Sequence, residues 1–119
     1  MKCAALFLAL ISPLAIALEP RECLKFEVAA NGDATFTNIC GDVLNMQYCV
    51  DSAQSKKSCA RASIPVVTFH HGVSDLIPAY ASNGKPPVHS AICVYPEAPV
   101  GWKPEKDSPY TCKKTCVMC

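Results

Sequence analysis

Cysteine limits the folds open to this chain more than any other residue does. Nine cysteines are spread over 119 residues. Cys3 lies in an apolar leader, and the other eight follow it: Cys23, Cys40, Cys49, Cys59, Cys93, Cys112, Cys116 and Cys119. An even number of cysteines in a short exported chain indicates a disulfide framework, so we expect four bridges. Each contributes about 2–4 kcal/mol, comparable with the net stability of a small domain.

The first residues predict export. Lys2 precedes an apolar run, and Ala15-Ile16-Ala17 resembles a cleavage site. This order is typical of a secretory signal, which we assign to residues 1–17. A retained membrane anchor is the alternative, but Ser12-Pro13 and Glu19 interrupt the run before the roughly 20 residues that a span needs. We therefore predict one disulfide-rich β domain over residues 18–119, secreted or periplasmic.

Charge excludes some partners. Lysine and arginine total 11, and aspartate and glutamate total 10. The sequence has no basic stripe to neutralise phosphates, so nucleic acid is not an expected partner. It has no basic amphipathic helix for an anionic membrane surface, and we expect no stable membrane insertion after signal cleavage. The expected partner is an unidentified protein or glycan.

A β-hairpin is the strongest local prediction. Residues 24–28 alternate apolar and charged side chains, and residues 34–39 are rich in β-branched and aromatic residues. Asn31-Gly32 lies between them, and this pair favours a type I′ turn because both positions accept positive φ. We predict a hairpin from about Leu24 to Ile39.

Further strands are predicted downstream. Residues 43–50 alternate, which indicates a half-buried strand with Leu44, Met46, Tyr48 and Val50 on one face. Residues 63–69 and 88–95 are also predicted strands, and residues 73–81 form a weaker one because Pro78 interrupts it. Five to seven short strands separated by turn residues predict an all-β fold, an antiparallel sandwich or barrel.

The C-terminal part has a different character. Residues 96–110 contain four prolines and Trp102, which argues against a central strand or a long helix. We expect an extended segment laid over the sheet and held by Trp102. Beyond it, Ser108 as N-cap and Pro109 at the first helical position favour a short terminal helix. That helix would place Cys112, Cys116 and Cys119 on one face.

The cysteine positions suggest a pairing. Cys49 and Cys59 flank a polar loop, so we predict a local bridge between them. Cys40 and Cys93 lie in separate strands, and a bridge between them would join distant parts of the sheet. Cys23 would pair with one of the last three cysteines, and the remaining two with each other, as a clasp on the terminus. The spacing Cys116-x-x-Cys119 also occurs in redox centres, but those lie at a helix N-terminus, so a structural bridge is favoured.

Histidine offers little chemistry. His70, His71 and His89, with Asp75 or a late cysteine, contain the donor types of a metal site. However, adjacent residues of a strand point to opposite faces, so His70 and His71 cannot both join His89 on one face. We expect turn chemistry at His71-Gly72 instead. With no catalytic motif, phosphate loop or ligand set in the sequence, we expect neither an enzyme nor a cofactor or metal.

The stretches "TNICGDVLNMQYCV" and "SAICVYPEAP" resemble a loosely defined group of small exported bacterial cysteine-containing β-domain proteins. The matching residues are Asn38, Cys40, Cys49, Cys59, Cys93 and Pro96, within a region from Thr37 to Pro99. The resemblance implies export and a β domain. It implies no catalytic activity, because the group has no established one.

Three functional hypotheses remain. The favoured one is an exported, non-catalytic binding or structural module, with Trp102, His70 and His71 as its candidate binding surface. An inhibitor or toxin-like effector would present a rigid loop such as residues 83–88 or the tryptophan segment. A redox or metal-binding protein would use the C-terminal cysteines.

Overall fold

A computed structural model describes residues 19–61, 63–104 and 108–114. The predicted signal peptide, Cys116 and Cys119 lie outside these residues. The elements are a 3₁₀ turn at Pro20–Cys23, β1 Leu24–Val28, β2 Ala34–Asn38, β3 Leu44–Val50, β4 Val67–Phe69, β5 Ser74–Ile77, a 3₁₀ turn at Ala81–Asn83, β6 Val88–Val94, β7 Glu97–Val100 and β8 Thr111–Lys114. The predicted all-β class is confirmed. Within the described residues, no helix is long and apolar enough to cross a membrane.

The eight strands form three antiparallel sheets. The first sheet has the order β1-β2-β5, and the central sheet has the order β4-β3-β6. Strands β7 and β8 pair only with each other and form the outer hairpin. The outer hairpin contacts β3 and β6 through β7. The central sheet therefore lies between the first sheet and the outer hairpin.

The predicted first hairpin is confirmed, but its turn differs from the predicted type I′. Of the turn residues Asn31 and Gly32, only Gly32 has a positive φ, of 91°. The Gly32 amide donates to the Ala29 carbonyl at 3.0 Å. The Ala29 amide donates to the Asp33 carbonyl at 2.8 Å. These bonds define a three-residue loop with glycine at its left-handed position, which needs one positive φ instead of two.

The core lies between the first and central sheets. Its members are apolar or aromatic and come from both sheets and the turns beside them: Cys23, Ala34, Phe36, Leu44, Met46, Tyr48, Val50, Phe69, Ile77, Tyr80 and Ile92. The rings of Phe36 and Tyr48 meet across the interface, with centroids 5.0 Å apart. Burial of this apolar surface is the main force that joins the two sheets.

Buried Asn38 adds a polar link at the end of β2. Its Nδ2 donates to the Asp42 carbonyl at 2.7 Å and to the Phe69 carbonyl at 3.0 Å. Its Oδ1 accepts from the Cys40 amide at 2.9 Å. One fully buried side chain thus satisfies three backbone groups and ties the first hairpin to β4 of the central sheet.

Strand β3 is covered on both faces, not half-buried as predicted. The alternation is correct, because Leu44, Met46, Tyr48 and Val50 all join the core. The opposite face is covered by the outer hairpin and by residues 59–61 and 63–64, so Asn45 and Cys49 are also buried. Strand β4 is shorter than predicted, because residues 63–66 lie outside the ladder.

Three disulfides join described cysteines: Cys23–Cys40, Cys49–Cys59 and Cys93–Cys112. The Cys49–Cys59 prediction is confirmed. The Cys40–Cys93 prediction and the bridge from Cys23 to the C-terminal cysteines are wrong. The hairpin register pairs Leu24 with Asn38, so the cysteines just outside that pair meet at the open end of the hairpin.

The terminal helix is also wrong for residues 111–114, which form β8. The register of the outer hairpin pairs Pro99 with Cys112 and Val100 with Thr111. A proline is tolerated in such a two-stranded ribbon because its missing amide can face outward. Of the proline-rich segment predicted to lie over the sheet, the part at Glu97–Val100 is confirmed, because it forms β7 and contacts β3 and β6.

Candidate functional site

The outer face of β3 carries polar side chains that fix the outer hairpin. Asn45 Nδ2 donates to the Glu97 carbonyl at 2.8 Å, and Thr68 Oγ1 donates to Asn45 Oδ1 at 2.7 Å. The Cys93–Cys112 bridge holds the same layer covalently. The Tyr110 hydroxyl donates to the Ile92 carbonyl at 3.2 Å and lies 3.2 Å from the Ile92 amide. The outer hairpin is therefore held at both of its strands.

A second segment is fixed beside the hairpin. Gln47 Nε2 donates to the Ile64 carbonyl at 2.8 Å, and the Cys49–Cys59 bridge anchors Cys59 to β3, so the described residues 59–61 and 63–64 are held at both ends. A cleft of about 410 Å³, the Trp102 cleft, separates this segment from the residues that follow β7. Its described lining residues are Gln47, Cys59, Ala60, Arg61, Ser63, Ile64, Trp102, Lys103 and Pro104.

Trp102 lines this cleft and carries a buried, unsatisfied donor. The Trp102 Nε1 is buried, and no described group accepts its proton. The indole N–H can only donate, and buried indoles normally have a partner. Within the described residues this donor has no acceptor, so a shift of the indole toward the cleft would let it gain one.

The charges of the Trp102 cleft have one sign among the described lining residues. Arg61 and Lys103 are cationic, and none of the others in the described set is acidic. Arg61 Nη1 donates to the Lys56 carbonyl at 3.2 Å, which positions the guanidinium and leaves its other donors available. The backbone of Lys103 is fixed by Ser108, whose Oγ accepts from the Lys103 amide at 2.7 Å. The cleft thus offers donors and positive charge to an anionic group.

The other two residues of the predicted binding surface lie elsewhere. His70 and His71 are exposed in the turn after β4, where Gly72 has a φ of 78°. The His71 ring Nδ1 lies 2.9 Å from the Cys40 carbonyl oxygen, and the Val73 amide donates to the His70 carbonyl at 3.0 Å. The expected turn at His71-Gly72 is confirmed, and neither histidine lines the Trp102 cleft.

His89 lies apart from the turn that holds His70 and His71 and does not line the Trp102 cleft. It lies on β6 opposite Cys49 and lines a smaller depression of about 230 Å³ with Asp51, Cys59 and Ala60. Among the described residues, no group of three or more histidine, cysteine, aspartate or glutamate side chains is placed to hold a metal ion.

A polar cluster also bridges the two main sheets. The Tyr48 hydroxyl donates to Asp75 Oδ2 at 2.6 Å, and Lys57 Nζ lies 3.5 Å from the same oxygen. Burial, followed by the hydrogen bond to Asp75 and the charge of Asp75, raises the pKa of Tyr48 well above its ordinary value of 10.0. Tyr48 therefore remains a proton donor at neutral pH, and the cluster acts as a structural link between β3 and β5.

The sequence pointed to Trp102 and missed the rest of the cleft. Gln47 belongs to a regular strand pattern, and Arg61 and Lys103 are ordinary surface cations by local sequence. Only the Cys49–Cys59 bridge, which was predicted, signals that residues near Cys59 fold back onto β3. No local pattern signals that Trp102 joins them.

Comparison with protein-family models, curated proteins and solved structures gives no match to this chain. The resemblance to small exported bacterial proteins stays a prediction.

Proposed function

We propose that this protein is an exported, non-catalytic binding module that holds an anionic group of its partner in the Trp102 cleft. The observation that supports the proposal is Trp102, whose N–H has no described acceptor and whose side chain lines a cleft with two cations. A carboxylate accepts hydrogen bonds from an indole and a guanidinium and is attracted by the positive charge. The three disulfides fit an oxidising compartment, as export requires.

The disulfides also support rigid presentation of this cleft. The Cys49–Cys59 bridge fixes one wall, and the Cys93–Cys112 bridge fixes the outer hairpin that leads to the other wall. A site whose walls are held before binding loses less conformational entropy when a ligand enters. The arrangement suits recognition, and we assign it no chemical step.

The two alternatives have weaker support. For an inhibitor-like loop, residues 83–88 run from the Ala81–Asn83 turn to Val88 of β6, and the Pro86 and Pro87 carbonyls accept from the Tyr80 hydroxyl and the Asp51 amide; these bonds hold the loop but point to no ligand. For a redox or metal role, Cys112 is already bonded to Cys93. Cys116 and Cys119 lie outside the described residues.

The single tryptophan of the chain supplies the test. Oligogalacturonate and a polyglutamate peptide are titrated into the protein while Trp102 emission is recorded, with a neutral maltooligosaccharide as the uncharged control. We expect a saturable change with at least one acidic probe and none with the neutral one. Weakening of the response by salt would accompany it, because exposed charges are screened.

Paired variants locate the binding. Arg61→Gln together with Lys103→Gln should weaken binding at least about tenfold, because two charge-assisted contacts are lost. Lys85→Gln removes one charge from an exposed residue outside the cleft and should leave binding unchanged. Equal weakening by both variants, or no response to either acidic probe at low salt, would contradict the proposal.

A further inference from the structure

Strand β1 is an edge strand with an unpaired side. It pairs with β2 alone in the first sheet, and all of its residues after Leu24 are exposed. Unpaired strand edges present a row of amide and carbonyl groups that can add another strand.

The hydrogen bonds at the two ends of the ladder show which groups are on the unpaired side. The Ile39 amide donates to the Cys23 carbonyl and the Ala29 amide to the Asp33 carbonyl, both at 2.8 Å. In an antiparallel ladder, alternate residues bond to the same neighbour, so Lys25 and Glu27 also face β2. The amides and carbonyls of Phe26 and Val28 therefore point away from β2, and no described group bonds them.

The side chains of β1 are symmetric about Phe26. Lys25 and Glu27 flank it on one face, and their charged groups lie 2.9 Å apart. Leu24 and Val28 flank it at the next positions, on the same face as Phe26. Phe26 and Val28 are 39% and 40% exposed although this face looks toward the core. From Leu24 to Val28 the side chains are apolar, basic, aromatic, acidic and apolar. When a second copy of the strand runs antiparallel to the first and is centred on Phe26, each basic residue therefore faces an acidic one.

We propose that β1 pairs with β1 of a second copy of this chain, antiparallel and with the two-fold axis at Phe26. In this register each Phe26 amide meets the Phe26 carbonyl of the other copy. Each Lys25 then faces Glu27 of the other copy, and each Leu24 faces Val28. The two first sheets become one six-stranded sheet that closes as a two-fold dimer.

In the proposed register, the charged side chains of β1 lie at the positions where cross-strand contacts are closest. Because Phe26 is at a hydrogen-bonded position, Lys25 and Glu27 fall at the non-hydrogen-bonded positions, where opposing side chains are closest. Opposite charges directly across a ladder stabilise it, and like charges destabilise it. Any other register of β1 against itself loses this matching, so the charges select the proposed one.

Charge reversal tests the register without touching the core. Sedimentation equilibrium should show a concentration-dependent dimer for residues 18–119. Lys25→Glu alone, or Glu27→Lys alone, places like charges at both cross-strand positions and should weaken the dimer at least about tenfold. The double variant Lys25→Glu/Glu27→Lys should restore it, and so should an equimolar mixture of the two single variants, as a heterodimer. Lys113→Glu on β8 makes the same charge change on another strand and should have no effect.

A backbone variant tests the edge itself. Val28→Pro removes an outward amide and leaves the bonds to β2 intact, so it should give a folded monomer. Circular dichroism and thermal unfolding establish that this variant is folded. The proposal is overturned if the unmodified protein remains a monomer up to about 1 mM. It is also overturned if the dimer persists equally in both single charge variants.

Discussion

The two faces of β3 are both buried, and different interactions bury them. The inner face presents Leu44, Met46, Tyr48 and Val50 to an apolar core shared with the first sheet. The outer face is covered through disulfides and through the side-chain amides of Asn45 and Gln47, which bond the Glu97 and Ile64 carbonyls. Apolar contact is continuous and undirected, whereas the outer contacts are few and specific.

This difference has a consequence for where binding can occur. A close-packed apolar interface leaves little free volume. A layer fixed at separate points leaves gaps between those points, and the Trp102 cleft is such a gap. The inner face therefore supplies most of the stability, and the outer face supplies the shape of the candidate site.

The largest expected effect is on the inner face. Met46 is fully buried, and Met46→Ala should lower the free energy of unfolding by about 2–5 kcal/mol because it leaves a cavity. Urea denaturation with the disulfides intact measures this. Val66→Ala, at a residue that is 44% exposed, is the control and should change stability by less than about 0.5 kcal/mol. Similar losses in the two variants would contradict the assignment of the core.

The outer face should respond with a smaller loss and a local signal. Replacing both Cys93 and Cys112 by alanine should cost about 3 kcal/mol, since the bridge closes a loop of 19 residues. Trp102 emission should shift to longer wavelength in the folded variant, because the outer hairpin loses its covalent anchor.

The bridge between Cys23 and Cys40 gives a matched control. It closes a loop of similar length, 17 residues, within the first sheet. Its removal should cost a similar free energy but leave the emission of folded Trp102 unchanged. If both double variants shift the emission equally, the two sides of β3 are not independent.

The smallest effect concerns the polar contact between Tyr48 and Asp75 on the inner face. The raised pKa of Tyr48 means that the folded state keeps this proton at a pH where the unfolded chain releases it. Its contribution is therefore complete below pH 10 and declines as the pH rises above that value. Tyr48→Phe should reduce this alkaline loss of stability, measured by urea denaturation between about pH 8 and 11. An unchanged pH slope would contradict the role of the Tyr48–Asp75 contact.

Local patterns predicted the inner face well. The two-residue period of β3 and the turn signal at Gly32 are properties of neighbouring residues, so the core face and the first hairpin could be read directly. The Cys49–Cys59 bridge was predictable for the same reason, because its partners flank one short loop.

The other pairings depend on contacts between segments. Cys23 meets Cys40 because of the hairpin register, and Cys93 meets Cys112 because β8 pairs with β7 instead of forming a helix. Ser108-Pro109 and the helical spacing of the cysteines favoured a helix locally. The pairing of β8 with β7 overrode that preference. The Trp102 cleft was not predictable, since Gln47, Arg61 and Trp102 belong to three separate segments.

The three described bridges follow one another along the chain without crossing: 23 to 40, 49 to 59, and 93 to 112. Each of these six cysteines therefore has its partner no more than 19 residues away. A chain that emerges from a membrane pore N-terminus first could close each bridge as soon as the second cysteine of that pair appears. No early cysteine has to wait for the last part of the chain, so an oxidising enzyme at the exit could form these bonds in the order of translation.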